Sequence, residues 1–489
     1  MFYVDPVLGK PTNTGTSASP WDLGTALGQA WAAGGGVKGL AKPVVHLGDT
    51  FLLASGNYGD LLLQGYYGSQ EGYDNKSQFL TIKAAPGATP VFTSIRIMGA
   101  GGWVFQGLTV KQIAPNLPAN NYAALVAIEG NDHDLIFDGN TIESATSATS
   151  WTQANWLANA ATGISQGRSG FNQTKCISIT NNTISNVSYG IQTQRADFVL
   201  IGGNTINYFV DDGMDYGSND LTIQHNILTN HVNAGNGLTI HADFMQGQPA
   251  PGDTITNVTI DSNIAIRQTD PNLPFAALMA STEGINGIDA FDGWWVNVKV
   301  TNNVVITKTQ QGISFYGVNG LVVANNDLIF DDLNNTGPVP TITVTKSKSG
   351  VESENVVIEN NLASGIAPDP KTTNISMNNN AVFLGGNLNY VSGGGVYYDN
   401  KPGAYPQGNS VLPTSALAPT LFNGLNIVGG VVLGFDLRLL PGAPVVGTGV
   451  TAGAPSTYIT GAPRTGSMNL GAYPTTAASL TTVATGVVH

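Results

Sequence analysis

The sequence has little positive charge and almost no cysteine. Only 19 of its 489 residues are Lys or Arg, against 32 Asp or Glu, which gives a formal net charge of −13. We therefore expect no nucleic-acid partner, because no basic stripe is present to displace the counterions around phosphate groups. The single cysteine, Cys176, permits no intrachain disulfide, and we expect it to be a buried, unreactive thiol on a strand.

Long hydrophobic runs are also missing. No segment reaches the length of about 18 apolar residues that a membrane-spanning helix needs, so no membrane partner is expected. The beginning, MFYVDPVLGK, does not show the basic region followed by an apolar region that is typical of a signal peptide. Two locations stay open: outside the cell, after removal of a leader, or on a virion as a phage structural protein.

What the sequence does have is glycine, apolar residues and repetition. It contains 61 Gly, its hydrophobic content is 42%, and only 10% of its residues are charged. Amphipathic helical patterns are scarce, whereas short alternating runs bounded by turn residues are common, which predicts strands joined by tight turns. Internal repetition indicates that the chain grows by adding similar units rather than by thickening one core.

The repeat can be followed through a column of asparagines. Each has apolar residues five and three positions before it and, in most cases, two positions after it, a pattern that predicts a strand with one face inward and a bend at the Asn. We predict that the amides pair from one repeat to the next as a ladder. The column consists of Asn140, Asn182, Asn204, Asn226, Asn263, Asn303, Asn326, Asn361 and Asn380.

The spacing of this column predicts the architecture. Neighbouring Asn are 22 or 23 residues apart at the shortest, as between Asn182 and Asn204 or Asn303 and Asn326. One such interval fits one coil of an all-β, single-stranded right-handed parallel β-helix. The longer intervals are either one coil with an insertion or two coils, and insertions in solenoids often lie on the binding face. We assign residues 1–385 to the β-helix with its N-terminal cap and 386–489 to closing coils and a tail.

The N-terminal cap is expected to contain a helix. Asp22 or Thr25 is placed to cap a short helix through Trp31. Such a helix would cover the open end of the first coil, which otherwise exposes its core.

A second column carries polar side chains after a Gly-apolar pair. Adjacent strands lie about 4.8 Å apart, so these residues would form an outward track suited to a chain of sugars. The track consists of Gln192, Asp215, Gln246, Asp289 and Ser314. Three positions earlier stand Tyr189, Asp212, Asp243, Asn286 and Gln311.

The acids of these columns are candidate catalytic groups. Glycoside hydrolysis needs two carboxyl groups, and crowded carboxylates raise one another's pKa, which creates a general acid. We predict Asp215 and Asp243 as the acid/base or nucleophile pair, with Asp212 and His241 tuning them. Alternatively, outward acids satisfy turn amides and His241 is an ordinary surface residue; both interpretations stay open.

Elimination is a second chemistry that the residues allow. A lyase neutralises a uronate and abstracts a proton, usually with Arg or Lys and often with calcium. Arg195, one coil before Asp215, would then act on the substrate. The calcium ligands in this alternative would be Asp211, Asp212, Asp215 and Asp243; otherwise no metal or other cofactor is expected.

Substrate contacts are predicted around the acids. Aromatic faces stack on sugar rings, and Trp294 and Trp295, directly after Phe-Asp-Gly, are the preferred candidates. The full set of predicted substrate-binding residues is Gln192, Arg195, Tyr216, Gln246, Asp289, Asp292, Trp294 and Trp295.

Several motifs resemble a known superfamily. The segments YVDP…TGTSASPWDLGTAL, GDTFLLASGNYGD and DLRLLPGAPVVGTGV…GAPRTGSMNLGAYP, together with the Asn column, resemble pectate-lyase-like right-handed β-helix proteins across nearly the whole chain. Asp212-x-x-Asp215 also resembles the paired acids of β-helical phage tailspike glycosidases. The Asn-Thr-Asp, Gly-His-Gly and Arg-Ile-Lys motifs of polygalacturonase-like hydrolases are absent.

The resemblance implies a function in polysaccharide degradation. We expect a depolymerase that hydrolyses glycosidic bonds of an extracellular or capsular polysaccharide. A calcium-assisted polysaccharide lyase and a non-catalytic glycan-binding or tailspike protein are the alternatives. Phage relatives also imply a possible homotrimer.

Overall fold

The computed structural model describes residues 1–33, 44–65, 79–112, 117–118, 123–167, 174–234, 241–250, 252–273, 285–331, 339–384, 410–413 and 421–476. Within them the chain forms 35 strands and two helices, α1 (Leu23–Ala33) and α2 (Gln153–Asn159). The chain divides into two compact units: Met1–Val210 with Ser218–Leu221, and Asp211–Gly217 with the residues from Thr222 onward. No helix in the described ranges is long and apolar enough to cross a membrane.

The first unit is a stack of parallel strands. Each strand pairs with an equivalent strand of a neighbouring coil. In the order given below, the sixth strand pairs with the ninth, and the ninth pairs with the twelfth. The strands are β1 (Phe2–Val4), β2 (Thr50–Leu53), β3 (Gly56–Gln64), β4 (Leu80–Ala84), β5 (Pro90–Met98), β6 (Gly101–Gln106), β7 (Thr109–Lys111), β8 (Ala124–Ile128), β9 (His133–Asp138), β10 (Thr141–Glu143), β11 (Thr162–Gln166), β12 (Thr174–Thr180), β13 (Thr183–Val187), β14 (Ile191–Gly202) and β15 (Thr205–Phe209).

The second unit repeats this plan and adds one antiparallel hairpin, β34–β35. Its first strand, β16 (Met214–Gln224), has its central residues assigned to the first unit. The others are β17 (Ile227–His231), β18 (Asp243–Gly247), β19 (Thr254–Asp261), β20 (Ile264–Ile266), β21 (Asn286–Ala290), β22 (Trp294–Thr301), β23 (Val304–Thr307), β24 (Gln311–Tyr316), β25 (Val318–Ala324), β26 (Asp327–Phe330), β27 (Thr341–Thr345), β28 (Glu354–Glu359), β29 (Leu362–Ala363), β30 (Gly365–Pro368), β31 (Thr373–Asn378), β32 (Ala381–Leu384), β33 (Ser410–Pro413), β34 (Asn426–Val428) and β35 (Val431–Gly434). The predicted fold class, a right-handed parallel β-helix, is confirmed.

The asparagine ladder forms as predicted. In the first unit, the Asn140 amide donates to Asn182 Oδ1 and the Asn182 amide to Asn204 Oδ1, both at 2.9 Å. In the second unit the same bonds run from Asn226 through Asn263, Asn303, Asn326 and Asn361 to Asn380. Each acceptor oxygen also accepts a hydrogen bond from the backbone N–H of the preceding ladder residue. The ladder therefore satisfies buried polar groups of both the side chains and the backbone.

The long intervals of the ladder are single coils with insertions. Thr141 lies beside Thr183, Ile227 beside Ile264, and Asp327 beside Leu362, so no additional coil separates them. The first of these insertions contains α2, whose N-cap Thr152 accepts the Asn155 N–H.

The predicted N-terminal helix is present as α1. Asp22 Oδ1 accepts the Thr25 N–H at 2.8 Å, which is the capping bond expected from the sequence. Cys176 lies on a strand, β12, as predicted, but it is half-buried, so the prediction of a buried thiol is wrong. Its backbone has a φ of 57°, which is outside the extended conformation of a regular strand.

The C-terminal residues pack along the coils of the second unit. Leu421, Phe422, Leu437 and Leu439 form one core cluster with side chains of the coils, among them Ile306. Asparagines that precede ladder positions donate to backbone carbonyls here, such as Asn302 to Thr457 and Asn360 to Val450. The predicted boundary at residues 385/386 lies outside the described residues and stays a prediction.

Candidate functional site

The polar column has the register that the sequence predicts. Met214, Met245, Ile288 and Ile313 are aligned on successive strands of the second unit. The residues that follow them are therefore aligned as well, with Asp215 beside Gln246, Gln246 beside Asp289, and Asp289 beside Ser314.

This column is covered rather than open. Asp215 is 1% exposed, and Asp289 and Ser314 are 0% exposed. The expectation of an open polar track is therefore wrong, because alternation along a strand predicts the face of the coil but not what packs over it. The carboxyl groups instead form a buried cluster, called here the acid pocket: Asp212, Asp215, Asp243 and Asp289.

Asp243 is the most connected member of the acid pocket. Its backbone N–H donates to Asp212 Oδ1 at 2.9 Å, which joins two neighbouring coils. Its Oδ2 accepts from Gln246 Nε2 at 2.8 Å and lies 2.9 Å from His241 Nδ1. Asp243 is thus an acceptor for an amide and an imidazole.

His241 connects the acid pocket to solvent. Its side chain is 58% exposed, whereas that of Asp243 is fully buried. Its second ring nitrogen, Nε2, lies 3.1 Å from the amide of Asn286. The hydrogen bond with Asp243 is the largest cause that raises the pKa of His241 above its usual value.

Burial and crowding raise the pKa of two of the acids. The pKa of Asp212 is raised well above its usual value, first by burial and then by the charges of Asp243, Asp211 and Asp215. The pKa of Asp289 is also raised well above its usual value, by burial, by the charge of Asp243 and by a hydrogen bond with it. Such surroundings favour the neutral, protonated form of a carboxyl group.

Two predicted substrate-binding residues are buried. Tyr216 and Trp295 are both 0% exposed and pack edge-to-face, with ring centroids 5.6 Å apart. Tyr216 donates to the Asp289 carbonyl and Trp295 to the Asp292 carbonyl. Both rings fill the core, which does not favour stacking on a sugar, and their role as substrate-binding residues stays a prediction. Trp294 is half-buried.

The rim beside His241 is aromatic. Phe291 lies edge-on to the His241 ring, with centroids 5.7 Å apart, and contacts Tyr316 at 4.6 Å. Both Phe291 and Tyr316 are only partly buried. Asp292, a predicted substrate-binding residue, pairs with exposed Lys348 at 2.8 Å.

Two predicted substrate-binding residues lie in the first unit. Gln192 is 1% exposed, and its Oε1 accepts from Ser165 Oγ at 3.3 Å. Arg195 is half-buried on β14, with a φ of 52°. Both remain predictions as site residues.

The calcium alternative needs several acidic side chains arranged around one ion. Within the described ranges, no group of three or more His, Cys, Asp or Glu side chains is arranged to hold a metal ion. The assignment of Asp211, Asp212, Asp215 and Asp243 as calcium ligands stays a prediction; the charges of the other three raise the pKa of Asp212.

Sequence reasoning missed Asn286 and Phe291 as site residues. Asn286 stands in the same column as Asp243, and the two are paired in the sheet. The column therefore contained the signal for Asn286. Phe291 follows the end of β21 outside any repeat position, and nothing in the pattern singles it out.

No protein-family model and no curated protein matches the sequence. Solved structures are similar, among them pectate lyase Pel9A, which is 15% identical. That match covers 97% of this chain and 96% of that chain, with a TM-score of 0.43. XylC in complex with xylose is 10% identical, and the match covers 96% of this chain and 98% of that chain with a TM-score of 0.47. PfbA, a surface adhesin of Streptococcus pneumoniae, is 12% identical, and the match covers 73% of this chain and 86% of that chain with a TM-score of 0.39. The predicted resemblance holds for the fold, which the strand pairing itself shows, and carries no argument about activity.

Proposed function

We propose that the chain is a polysaccharide depolymerase that hydrolyses glycosidic bonds at the acid pocket. The observation that carries the proposal is the burial of Asp212, Asp243 and Asp289 together, each no more than 3% exposed. Burying like-charged groups beside one another destabilises a fold, and such arrangements with perturbed pKa values are typical of functional sites.

The pocket contains the two protonation states that hydrolysis requires. Asp212 retains a proton because its pKa is raised, so it can protonate the leaving glycosidic oxygen as the bond to the anomeric carbon breaks. Asp243, an acceptor for Gln246 and His241, is the carboxylate of the site. The Asp243–His241 pair can take a proton from the attacking water.

His241 is the member of the site that first meets a polymer, because it is the exposed one. The partly buried rings of Phe291 and Tyr316 beside it supply an apolar rim of the kind on which sugar rings pack. A polysaccharide outside the cell or on a virion surface is the substrate class that we propose.

Elimination is the second candidate, and one observation favours it. The exposed imidazole of His241 is flanked by the amides of Gln246 and Asn286, at 3.3 and 3.1 Å from its two nitrogens. Amides can hydrogen-bond a uronate carboxylate while the imidazole removes the proton from the adjacent carbon. The C–O bond to the leaving sugar then breaks, and a carbon–carbon double bond forms.

One experiment separates the candidates. The protein is incubated with bacterial and plant polysaccharides, with and without EDTA, and new reducing ends and the ultraviolet absorbance of unsaturated products are followed together. Reducing ends without absorbance support hydrolysis. Both signals together assign the elimination reaction, and binding without either signal would contradict both enzymatic candidates in favour of a glycan-binding protein.

A further inference from the structure

Asp289 is a buried acid without a conventional donor. It lies on β21, paired in the sheet with Gln246 on one side and Ser314 on the other. It is 0% exposed, and neither of its carboxyl oxygens accepts a hydrogen bond from an N–H or hydroxyl group of the described residues. A carboxylate left this way would lack the donors that compensate its burial.

Asp243 has a matching gap. Gln246 and His241 both contact its Oδ2, whereas its Oδ1 is buried and has no such donor. The two acids also act on each other, because a hydrogen bond with Asp243 is among the causes that raise the pKa of Asp289. The unsatisfied oxygens of the two acids therefore satisfy each other if one proton is shared between them.

The contacts indicate which acid holds the proton. Two buried carboxylates in contact cannot both be ionised without a large cost. Asp243 accepts from two donors and is therefore the carboxylate, while Asp289 accepts from none and is therefore the acid. The other titratable groups near Asp289 are Asp212 and the phenols of Tyr216 and Tyr316, and none of them supplies a positive counter-charge.

We infer that Asp289 is a positioning residue: its protonated carboxyl donates to Asp243 and holds that carboxylate against His241. The inference rests on the proposed function, since it describes how the acid pocket keeps its exposed imidazole oriented. The groups that face His241 are Asp243, Asp211, the amides of Gln246 and Asn286, and the Phe291 ring.

Two variants of Asp289 separate positioning from proton transfer to substrate. In Asp289→Asn the amide keeps an N–H donor for Asp243, whereas Asp289→Leu keeps the volume and removes the donor. Without that donor, Asp243 is no longer held against His241, so the imidazole loses the hydrogen bond that raises its pKa. Asp289→Ala replaces the Leu variant if that chain does not fold.

The readout is the titration of His241 in the 489-residue chain, followed by NMR of its imidazole. The signal of His241 is assigned among the six His as the one that is lost in His241→Gln. In Asp289→Asn we expect the His241 pKa to stay within about 0.3 of the wild-type value. In Asp289→Leu we expect that pKa to fall by about half a unit or more.

Two results would overturn the inference. An unchanged His241 titration in Asp289→Leu or Asp289→Ala would show that Asp289 does not act on the imidazole. Loss of cleavage in Asp289→Asn with a normal titration would make Asp289 a proton donor to the substrate instead. The titration needs no substrate, so it decides the inference even if every polysaccharide remains uncleaved and the proposed function fails.

Discussion

At the scale of single residues, buried acids make this fold sensitive to pH. Asp327, on β26, is 1% exposed, and its Oδ1 is buried without a hydrogen bond. Burial raises its pKa from 3.8 to about 8, although the Ala472 N–H and the Arg464 guanidinium oppose the shift. Between about pH 4 and about pH 8, the acid is therefore mostly neutral in the folded chain and mostly ionised in the unfolded chain.

The sign of the resulting pH dependence follows from the raised pKa. Stability from neutral Asp327 is fully present below the unfolded value of 3.8 and is lost as pH rises to about 8. As the pH rises from about 5 to about 9, we expect the Tm of Asp327→Asn to fall less than the Tm of the wild type. An Asp60→Asn control changes an exposed acid, and equal pH dependence in all three proteins would contradict the assignment.

Particular residues show what the sequence could predict at this scale. The periodic register was enough to align Asp215, Gln246 and Asp289, because one coil repeats the geometry of the next. It was not enough to predict their burial, or that Trp295 fills the core, because packing over a coil depends on non-repeating segments. The exposure of His241, with Asp243 beneath it, is likewise a product of tertiary packing.

At the scale of elements, the asparagine ladder ties the coils together. Asn303 accepts the backbone N–H and the side-chain amide of Asn263, and donates to the Ile260 carbonyl. The preceding residue, Asn302, has a φ of 55°, and Asn tolerates this left-handed conformation better than most residues. The sequence predicted the ladder from spacing alone, whereas the role of the preceding Asn in binding the C-terminal residues required the structure.

Loss of one ladder residue should be costly. Asn303→Ala leaves buried partners on Asn263 and Ile260 unsatisfied, at about 1–3 kcal/mol for each group. We expect the free energy of unfolding of the second unit to fall by about 3 kcal/mol or more, measured by denaturant titration. Asn272→Ala, an exposed asparagine outside the ladder, is the matched control, and an equal effect of both changes would contradict the structural role of the ladder.

At the scale of the whole chain, the C-terminal residues belong to the core of the second unit. Phe422 is 1% exposed and packs in the cluster that includes Val304, Ile329 and Leu362 of the coils. The sequence predicted a closing region, but not that its apolar residues share this cluster, because no repeat pattern continues there. The predicted homotrimer stays a prediction that sedimentation can check.

Truncation of Phe422 tests this packing. Phe422→Ala removes a buried ring, and we expect it to destabilise the second unit by about 3–5 kcal/mol in denaturant titration. Leu433→Ala changes a side chain on β35 that is 54% exposed, and it should have little effect. Similar losses in the two variants would show that Phe422 contributes no more than a surface residue.

The central claim is that the acid pocket cleaves polysaccharide, and Asp243→Asn tests it most directly. The variant keeps the shape of Asp243 but removes the carboxylate that contacts His241 and Gln246. On any polysaccharide that the wild type cleaves, we expect its rate of bond cleavage to fall about 100-fold or more, while Asp60→Asn retains the wild-type rate. Cleavage by Asp243→Asn at the rate of Asp60→Asn would contradict the account and move the chemistry away from the acid pocket.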